Sequence, residues 1–268
     1  MIQASINSKC PKWYVLNRTY QIQVPQNWQE MTESQVLAVM PILMGGEEEA
    51  ESLPFLVKAV LSSVPKHILY KMDETVMYEK FYKRLSWVYH RPILSPKPSL
   101  ISQDGVVYQL PKEKLKSLTI QQYYECDEAV NQYLKSAKEE QLQRFLQSFL
   151  TPLSKEECSN FGELEEVYKF YSLYYFLSCR DWISKEFFDF DPKNKKNNIV
   201  KNASVRRSYD WRTGLLSIAE TGIFGNHAQV VQTPCHDIFR YLKMKNPKVK
   251  HSTDLRDIIR ANHQKYSN

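Results

Sequence analysis

The chain has 268 residues, 43% hydrophobic and 13% aromatic, which is enough apolar side chain for one large core or two small ones and excludes disorder of the whole chain. Its formal net charge is +6, and its 7 glycines argue against a glycine-rich phosphate-binding enzyme fold. The positive charge sits late: from Asp191 onward 15 Lys/Arg face 6 Asp/Glu, whereas residues 1–190 are mildly acidic.

In chain order, Tyr14, Leu16, Tyr20, Ile22 and Val24 fall on even positions, a period of two that predicts a strand or hairpin ended by Pro25. Thr32 and Gln35 then occupy the reciprocal positions of a capping box, with Met31 and Val36 placed to staple across it. Val36, Leu37, Met40 and Leu43 make the inward stripe of that helix, which Pro41 is expected to bend or end. Gly45, Gly46 and the run Glu47 to Glu49 open the next segment, acidic residues suiting the positive end of a helix. Residues 53–61 predict another helix, with Pro54 tolerable only in its first turn. From Asp73 a clearer helix turns Val76, Met77, Phe81, Leu85 and Val88 inward.

A proline-rich insertion over residues 91–116 interrupts this pattern. Pro92, Pro96 and Pro98 oppose a regular helix, and Asp104-Gly105 between Ile101 and Val106 predicts a tight turn or small hairpin. Thr119 and Gln122 repeat the cap logic; Leu142, Phe145, Leu146 and Phe149 then share one helical side that Pro152 closes. The stretch from Gly162 to Phe190 follows. Leu164, Val167, Tyr168, Tyr171, Tyr174 and Tyr175 recur at helical steps, while Phe170, Leu173, Phe176 and Leu177 fill much of the opposite side. About 29 residues make a helix of roughly 43 Å that needs cover on several faces. Beyond Asp191-Pro192 the chain is polar and basic, and order returns with Trp211, Leu215, Ile218 and Ala219 on one helical face. Gly222 and Gly225 flank Phe224 in a turn; Thr233 is placed to cap a helix beginning at Pro234, with Ile238, Phe239 and Leu242 inward. Residues 253–263 predict a last small amphipathic helix.

The fold expected is mainly α: an irregular multi-helix bundle around a central aromatic-rich helix, with a short N-terminal β arm or hairpin. Residues 1–190 form the main helical body carrying the insertion, 191–208 a basic surface connection, and 209–268 a small C-terminal helical unit. Cys10, Cys126, Cys158, Cys179 and Cys235 are scattered and odd in number, which predicts reduced structural thiols. Without an apolar signal segment or a membrane-length apolar run, a soluble intracellular protein with no membrane partner is expected.

No catalytic constellation rises above background, and neither catalytic, cofactor-binding nor metal-binding residues are assigned. The chain lacks a phosphate loop, a dinucleotide fingerprint, H-E-x-x-H and G-x-S-x-G. His227, Cys235 and His236 resemble a metal cluster but lack a fourth ligand and the usual spacing. Asp189, Asp191 and Glu163 show no spacing that selects acid/base work over a helix end. The candidates for phosphate contact are Lys193, Lys195, Lys196, Lys201, Arg206 and Arg207, a lysine-rich run that can bind nucleic acid without reading bases.

Tyr20, Pro25, Trp28, Glu30-Met31-Thr32 and Gln35, together with the segment W-x-x-x-L-L-x-x-A-E-x-G-x-F-G from Trp211 to Gly225, resemble a family of Bacteroidetes phage and prophage proteins similar to tail-assembly or tail-chaperone proteins. The resemblance covers about 25 residues at the opening and about 35 towards the end. It implies a noncatalytic protein that holds or organises a phage structural or tail protein, in the cytoplasm of an infected or lysogenic bacterium or in the virion. Trp28, Trp211 and Phe224 are the protein-contact candidates, since aromatic anchors contribute disproportionately to interfaces. Two alternatives stand beside this reading: a nucleic-acid-associated structural or regulatory protein using the basic C-terminal part, and an enzyme with an unfamiliar active site. Self-association is left open.

Overall fold

The computed structural model describes residues 2–8, 18–44, 49–61, 81–103, 106–153, 161, 164–188 and 211–245. These are mostly helical, with a small three-stranded antiparallel sheet. The first half of the helix expected from Asp73, the Gly45-Gly46 and Asp104-Gly105 pairs, Glu163, Asp189, Asp191, the Lys193 to Arg207 run and the terminal helix of residues 253–263 lie outside the described residues. The chain divides into two compact units, residues 1–98 with 165–171, and residues 99–164 with 172–268.

In the first unit, strands β1 (Ile2–Ser8) and β2 (Arg18–Val24) pair antiparallel, Ile2 opposite Val24. A single 3-10 turn, Trp28–Glu30, is capped by Asn27, whose side-chain oxygen accepts from the Glu30 N–H. Helix α1 (Glu33–Met44) opens with the box that the sequence predicts: the Gln35 N–H donates to Thr32 Oγ1 at 3.3 Å, and the Thr32 N–H to Gln35 Oε1 at 2.8 Å. Met31 and Val36, the staple pair, are both buried.

Neither proline ends its helix, and Pro54 lies beyond the expected first turn. Pro41 lies within α1, and Pro54 is the sixth residue of helix α2 (Glu49–Val60), which starts four residues earlier than the spacing predicts. A mid-helix proline costs about 3 kcal/mol, whereas each fully buried aliphatic side chain returns about 1.5–3 kcal/mol. Val36, Val39 and Met40 on α1, and Leu56, Val57 and Val60 on α2, are all buried, so burial outweighs the lost hydrogen bond. Farther on, Phe81, Leu85 of short helix α3 (Lys83–Leu85) and Val88 of α4 (Trp87–His90) are buried as expected. Residues 91–97 are sewn to the Trp28 turn: Arg91 Nη1 donates to the Gln26 carbonyl at 2.8 Å and Lys97 Nζ to the Gln29 carbonyl at 2.9 Å.

In the second unit, β3 (Leu100–Gln103) and β4 (Val106–Gln109) pair antiparallel with Gln103 opposite Val106, and β5 (Thr151–Pro152) adds to the other edge of β4. The long helices are α5 (Ile120–Ser136), α6 (Glu139–Phe149) and α7 (Glu166–Phe188), the last contributing its first turns to the other unit. Three more complete the described chain: α8 (Trp211–Glu220), α9 (His227–Gln232) and α10 (Cys235–Lys245). The expected helix from Gly162 thus begins at Glu166. Within it, Tyr171, Tyr175, Cys179, Ile183 and Phe187 form a fully inward stripe at four-residue steps, and most other positions are half-buried, as the two-sided apolar pattern demands.

Phe176 of α7 is the hub of the second unit's core. Its ring meets Tyr123 of α5 at 5.8 Å and Phe145 and Phe149 of α6 at 5.5 and 5.8 Å. Tyr123 in turn packs edge-on against Phe239 of α10 at 5.0 Å, which closes a four-helix aromatic core.

Candidate protein-contact face

Helix α10 is anchored at its start by α5 and by the residues just before α5. Thr233 does not cap α10 as expected; its hydroxyl donates to the Gln229 carbonyl at 2.9 Å and so closes α9. Pro234 forms an isolated antiparallel bridge with Thr119, and its carbonyl accepts from the Asp237 and Ile238 N–H groups at 3.0 and 3.4 Å, so it leads directly into α10. Across this bridge the Ile120 N–H donates to the Thr233 carbonyl and the Cys235 N–H to the Leu118 carbonyl, each at 2.9 Å. Each helix start thereby satisfies an orphan donor of the other. α5 also has the predicted box, the Gln122 N–H donating to Thr119 Oγ1 at 3.2 Å.

Residues 110–118 lie against α7 and α10 and take an unusual path. Lys114 and Leu115 are consecutive non-glycine residues in the left-handed region, at φ 57° and 61°, a conformation costing about 1–2 kcal/mol each. Side chains from the two helices hold their carbonyls. Tyr175 Oη donates to the Pro111 and Lys112 carbonyls at 3.1 and 2.9 Å, and the Cys235 thiol to the Leu115 carbonyl at 3.6 Å. His236 Nε2 stands 2.6 Å from the Lys114 carbonyl, so it is the protonated ring nitrogen and donates. The imidazole stacks on Trp182 and meets the Phe187 ring edge-on, at 5.9 and 5.4 Å.

Burial governs the ionisable groups here. It pushes the Cys179 and Cys235 thiols up to about 12 and the Cys126 thiol well above its ordinary value, so all three are protonated at neutral pH. Burial lowers His236, with the Arg240 and Lys116 charges adding to that direction and the Lys114 carbonyl and Asp237 opposing it. Of the sequence's metal-like trio, His227 is exposed on α9 while Cys235 and His236 spend their polar atoms on residues 114–115. Among the described residues no group of three or more His, Cys, Asp or Glu could hold a metal ion.

The anchored helix turns Ile238, Phe239 and Leu242 inward, as predicted, and leaves Tyr241, Met244 and Lys245 on one outward face at three- and four-residue steps. Tyr241 receives the Phe224 ring edge-on at 5.5 Å, and Lys245 Nζ lies 5.8 Å from the Tyr241 ring centroid. Phe224 arrives through a turn that joins α8 to α9. Its glycines have φ of +69° at Gly222 and +83° at Gly225, and the Gly225 N–H donates to the Gly222 carbonyl at 3.2 Å. A Cβ on Gly225 would also come within 2.0 Å of Gln229 Oε1, the atom that accepts from the Asn226 N–H in the capping box of α9.

Between these glycines the corner positions carry Ile223 and Phe224, where turns ordinarily carry Gly, Asn, Asp, Ser or Pro. Ile223 is 56% exposed, Met244 79% exposed, and Phe224 half-buried. The outcome is a Phe224–Tyr241 pair flanked along the chain by two exposed apolar residues, Ile223 beside Phe224 in the turn and Met244 three residues on from Tyr241 in α10.

The three sequence candidates for protein contact lie in different surroundings. Trp28, in the first unit, is 4% exposed; its indole N–H donates to the Arg91 carbonyl at 2.7 Å and its ring meets Trp87 edge-on at 5.3 Å. Trp211, in the second, is 9% exposed and stacked on Tyr124 at 5.0 Å. Phe224 alone of the three reaches the face just described. Ile223 and Met244 escaped sequence reasoning because one reads as a turn residue and the other as part of a basic helix end; an apolar pair between two glycines was the available signal. Searches against family models, curated proteins and solved structures return no match.

Proposed function

We propose that this chain is a noncatalytic structural-interaction protein that holds or organises a phage structural protein during tail assembly, and that it does so through the Ile223, Phe224, Tyr241 and Met244 face. The observation carrying the proposal is the turn between Gly222 and Gly225, which spends two positive-φ glycines on presenting an isoleucine and a phenylalanine at the surface. Apolar side chains fixed on a rigid turn lose little entropy on binding, which suits them as anchors. The resemblance of Trp211 to Gly225 to tail-assembly proteins supports the same segment. Under this reading the β1–β2 pair serves as an N-terminal arm. Among the described residues no helix is long and apolar enough to cross a membrane.

The test is co-expression with the products of neighbouring genes, recovery on a tag, and nuclease treatment before identification of bound proteins. Recovery of a tail or other structural protein that survives nuclease, and that falls at least tenfold with Ile223→Ser/Met244→Ser in a folded variant, is the expected result. Recovery of nucleic acid alone, lost with rising salt, assigns function to the Lys193 to Arg207 run instead.

A further inference from the structure

Strands β1 and β2 form a two-stranded ribbon, and among the described residues no third strand joins either edge. Their register sets Ile2 opposite Val24, Ala4 opposite Ile22 and Ile6 opposite Tyr20, so these even positions share one apolar face. The other face takes Gln3 with Gln23, Ser5 with Gln21 and Asn7 with Thr19, all polar and uncharged. Val24, on the even face, is buried. A two-stranded ribbon by itself is marginal in water, and three or more strands are the ordinary requirement.

The two edges differ in sequence. β2 carries Arg18 at an even position, a charge on the apolar face of the kind that blocks edge-to-edge pairing. β1, in contrast, holds no charged residue, proline or glycine from Ile2 to Ser8. Alternate residues of an antiparallel strand turn their N–H and C=O groups away from the existing partner, and nothing in the β1 sequence keeps another strand from them.

Symmetry selects the strand that fits. A two-fold axis perpendicular to the ribbon keeps even positions on the same face in both copies, so β1 laid antiparallel against β1 of a second copy sets even against even. Centred on Ser5, the middle of the strand, this pairing puts Ala4 opposite Ile6, Gln3 opposite Asn7 and Ser5 opposite Ser5. A small residue then meets a branched one on the apolar face, polar residues meet on the other, and no like charges come together. We propose that β1 is a self-complementary edge through which two copies of this chain join in one four-stranded antiparallel sheet, ordered β2, β1, β1, β2. Both faces then continue unbroken across the dimer axis. Pairing of one short strand is small beside the roughly 1,200–2,000 Å² of a stable interface, so the dimer is weak and concentration-dependent. It holds or fails independently of any partner at the Phe224–Tyr241 pair, which belongs to the other unit.

The experiment is sedimentation velocity of the full chain across micromolar concentrations, with Ser5→Lys and Ser5→Glu as companion variants verified as folded by circular dichroism. Within the ribbon either substitution faces the uncharged Gln21, whereas across the two-fold axis it sets like charges opposite each other. The expected result is a dimer in the unaltered chain, a dissociation constant raised at least about threefold in each variant alone, and recovery when the two variants are mixed in equal amounts. Ile223→Ser/Met244→Ser should dimerise as the unaltered chain does. A monomer at every concentration, a dimer indifferent to both Ser5 substitutions, or a loss that mixing does not restore overturns the proposal. A monomer that loses a neighbouring gene product on Ser5→Lys also contradicts it, since the edge then takes a foreign strand. Should the variants fail to fold, amide hydrogen exchange of the unaltered chain decides: protection at alternate residues of Ile2–Ser8 should rise with protein concentration, and protection that does not change rules out self-pairing.

Discussion

At the scale of single residues, the second unit turns on polar atoms that are buried and spent. Tyr175 Oη reaches two carbonyls of a path that includes two left-handed residues. Tyr175→Phe leaves those acceptors without their donor, and its expected cost is about 1–3 kcal/mol, read by urea unfolding. The thiols make a chemical prediction. With burial holding Cys179 and Cys235 up to about 12 and Cys126 also raised, these three should resist alkylation at pH 8 in the folded chain and react only when it unfolds, as peptide mass mapping will show. His236 sets the sign of a pH dependence. Its folded value lies below its unfolded one, so the stability it contributes is whole above the ordinary imidazole value of about 6.5 and is lost as pH falls towards the lowered value. The difference in unfolding free energy between the unaltered chain and His236→Gln should therefore shrink on going from pH 7.5 to 5.

At the scale of elements, caps and stripes explain most of the local structure. Thr119→Ala removes the acceptor of the Gln122 N–H and should cost about 0.5–2 kcal/mol. Ala137 ends α5 in the left-handed region at φ 51°, so Ala137→Gly should stabilise by about 0.5–1 kcal/mol; thermal unfolding measures both changes. These features were readable because they are local. Thr32 with Gln35 and Thr119 with Gln122 need only a three-residue spacing, and the inward residues of α6 and α10 only a helical period. On α7 the period picks out Tyr171 and Tyr175 but not Cys179, Ile183 and Phe187, while Val167, Tyr168 and Tyr174 are half-buried. What could not be read depends on distant partners. Pro41 and Pro54 sit inside helices that pack against each other, and a local pattern does not weigh that burial against the lost hydrogen bond. Thr233 fails to cap α10 because Leu118, more than a hundred residues earlier, already accepts from the Cys235 N–H. β5 has two residues, too few to carry any period, and is a strand only because β4 offers it an edge.

At the scale of the whole molecule, composition announced aromatic side chains without saying which would face out. Trp28 and Trp211, the largest candidates, are buried against other rings, whereas the less conspicuous Ile223 and Met244 are exposed, as Phe55, Leu100, Leu134, Leu153 and Leu216 also are among the described residues. A pattern of residue types separates helix faces but does not separate an anchor from a core residue, because both are apolar and both recur at helical steps. The Phe224–Tyr241 contact joins the Gly222 to Gly225 turn to the outward side of α10, a juxtaposition that no local pattern encodes. The measurement that bears most directly on its role is tagged recovery with neighbouring gene products after nuclease, comparing the unaltered chain with Ile223→Ser/Met244→Ser, both verified as folded by circular dichroism. Nuclease-resistant capture of a tail structural protein by the former and its loss in the latter is the predicted result; equal capture by both, or capture of nucleic acid alone, would contradict a protein-organising role for this face.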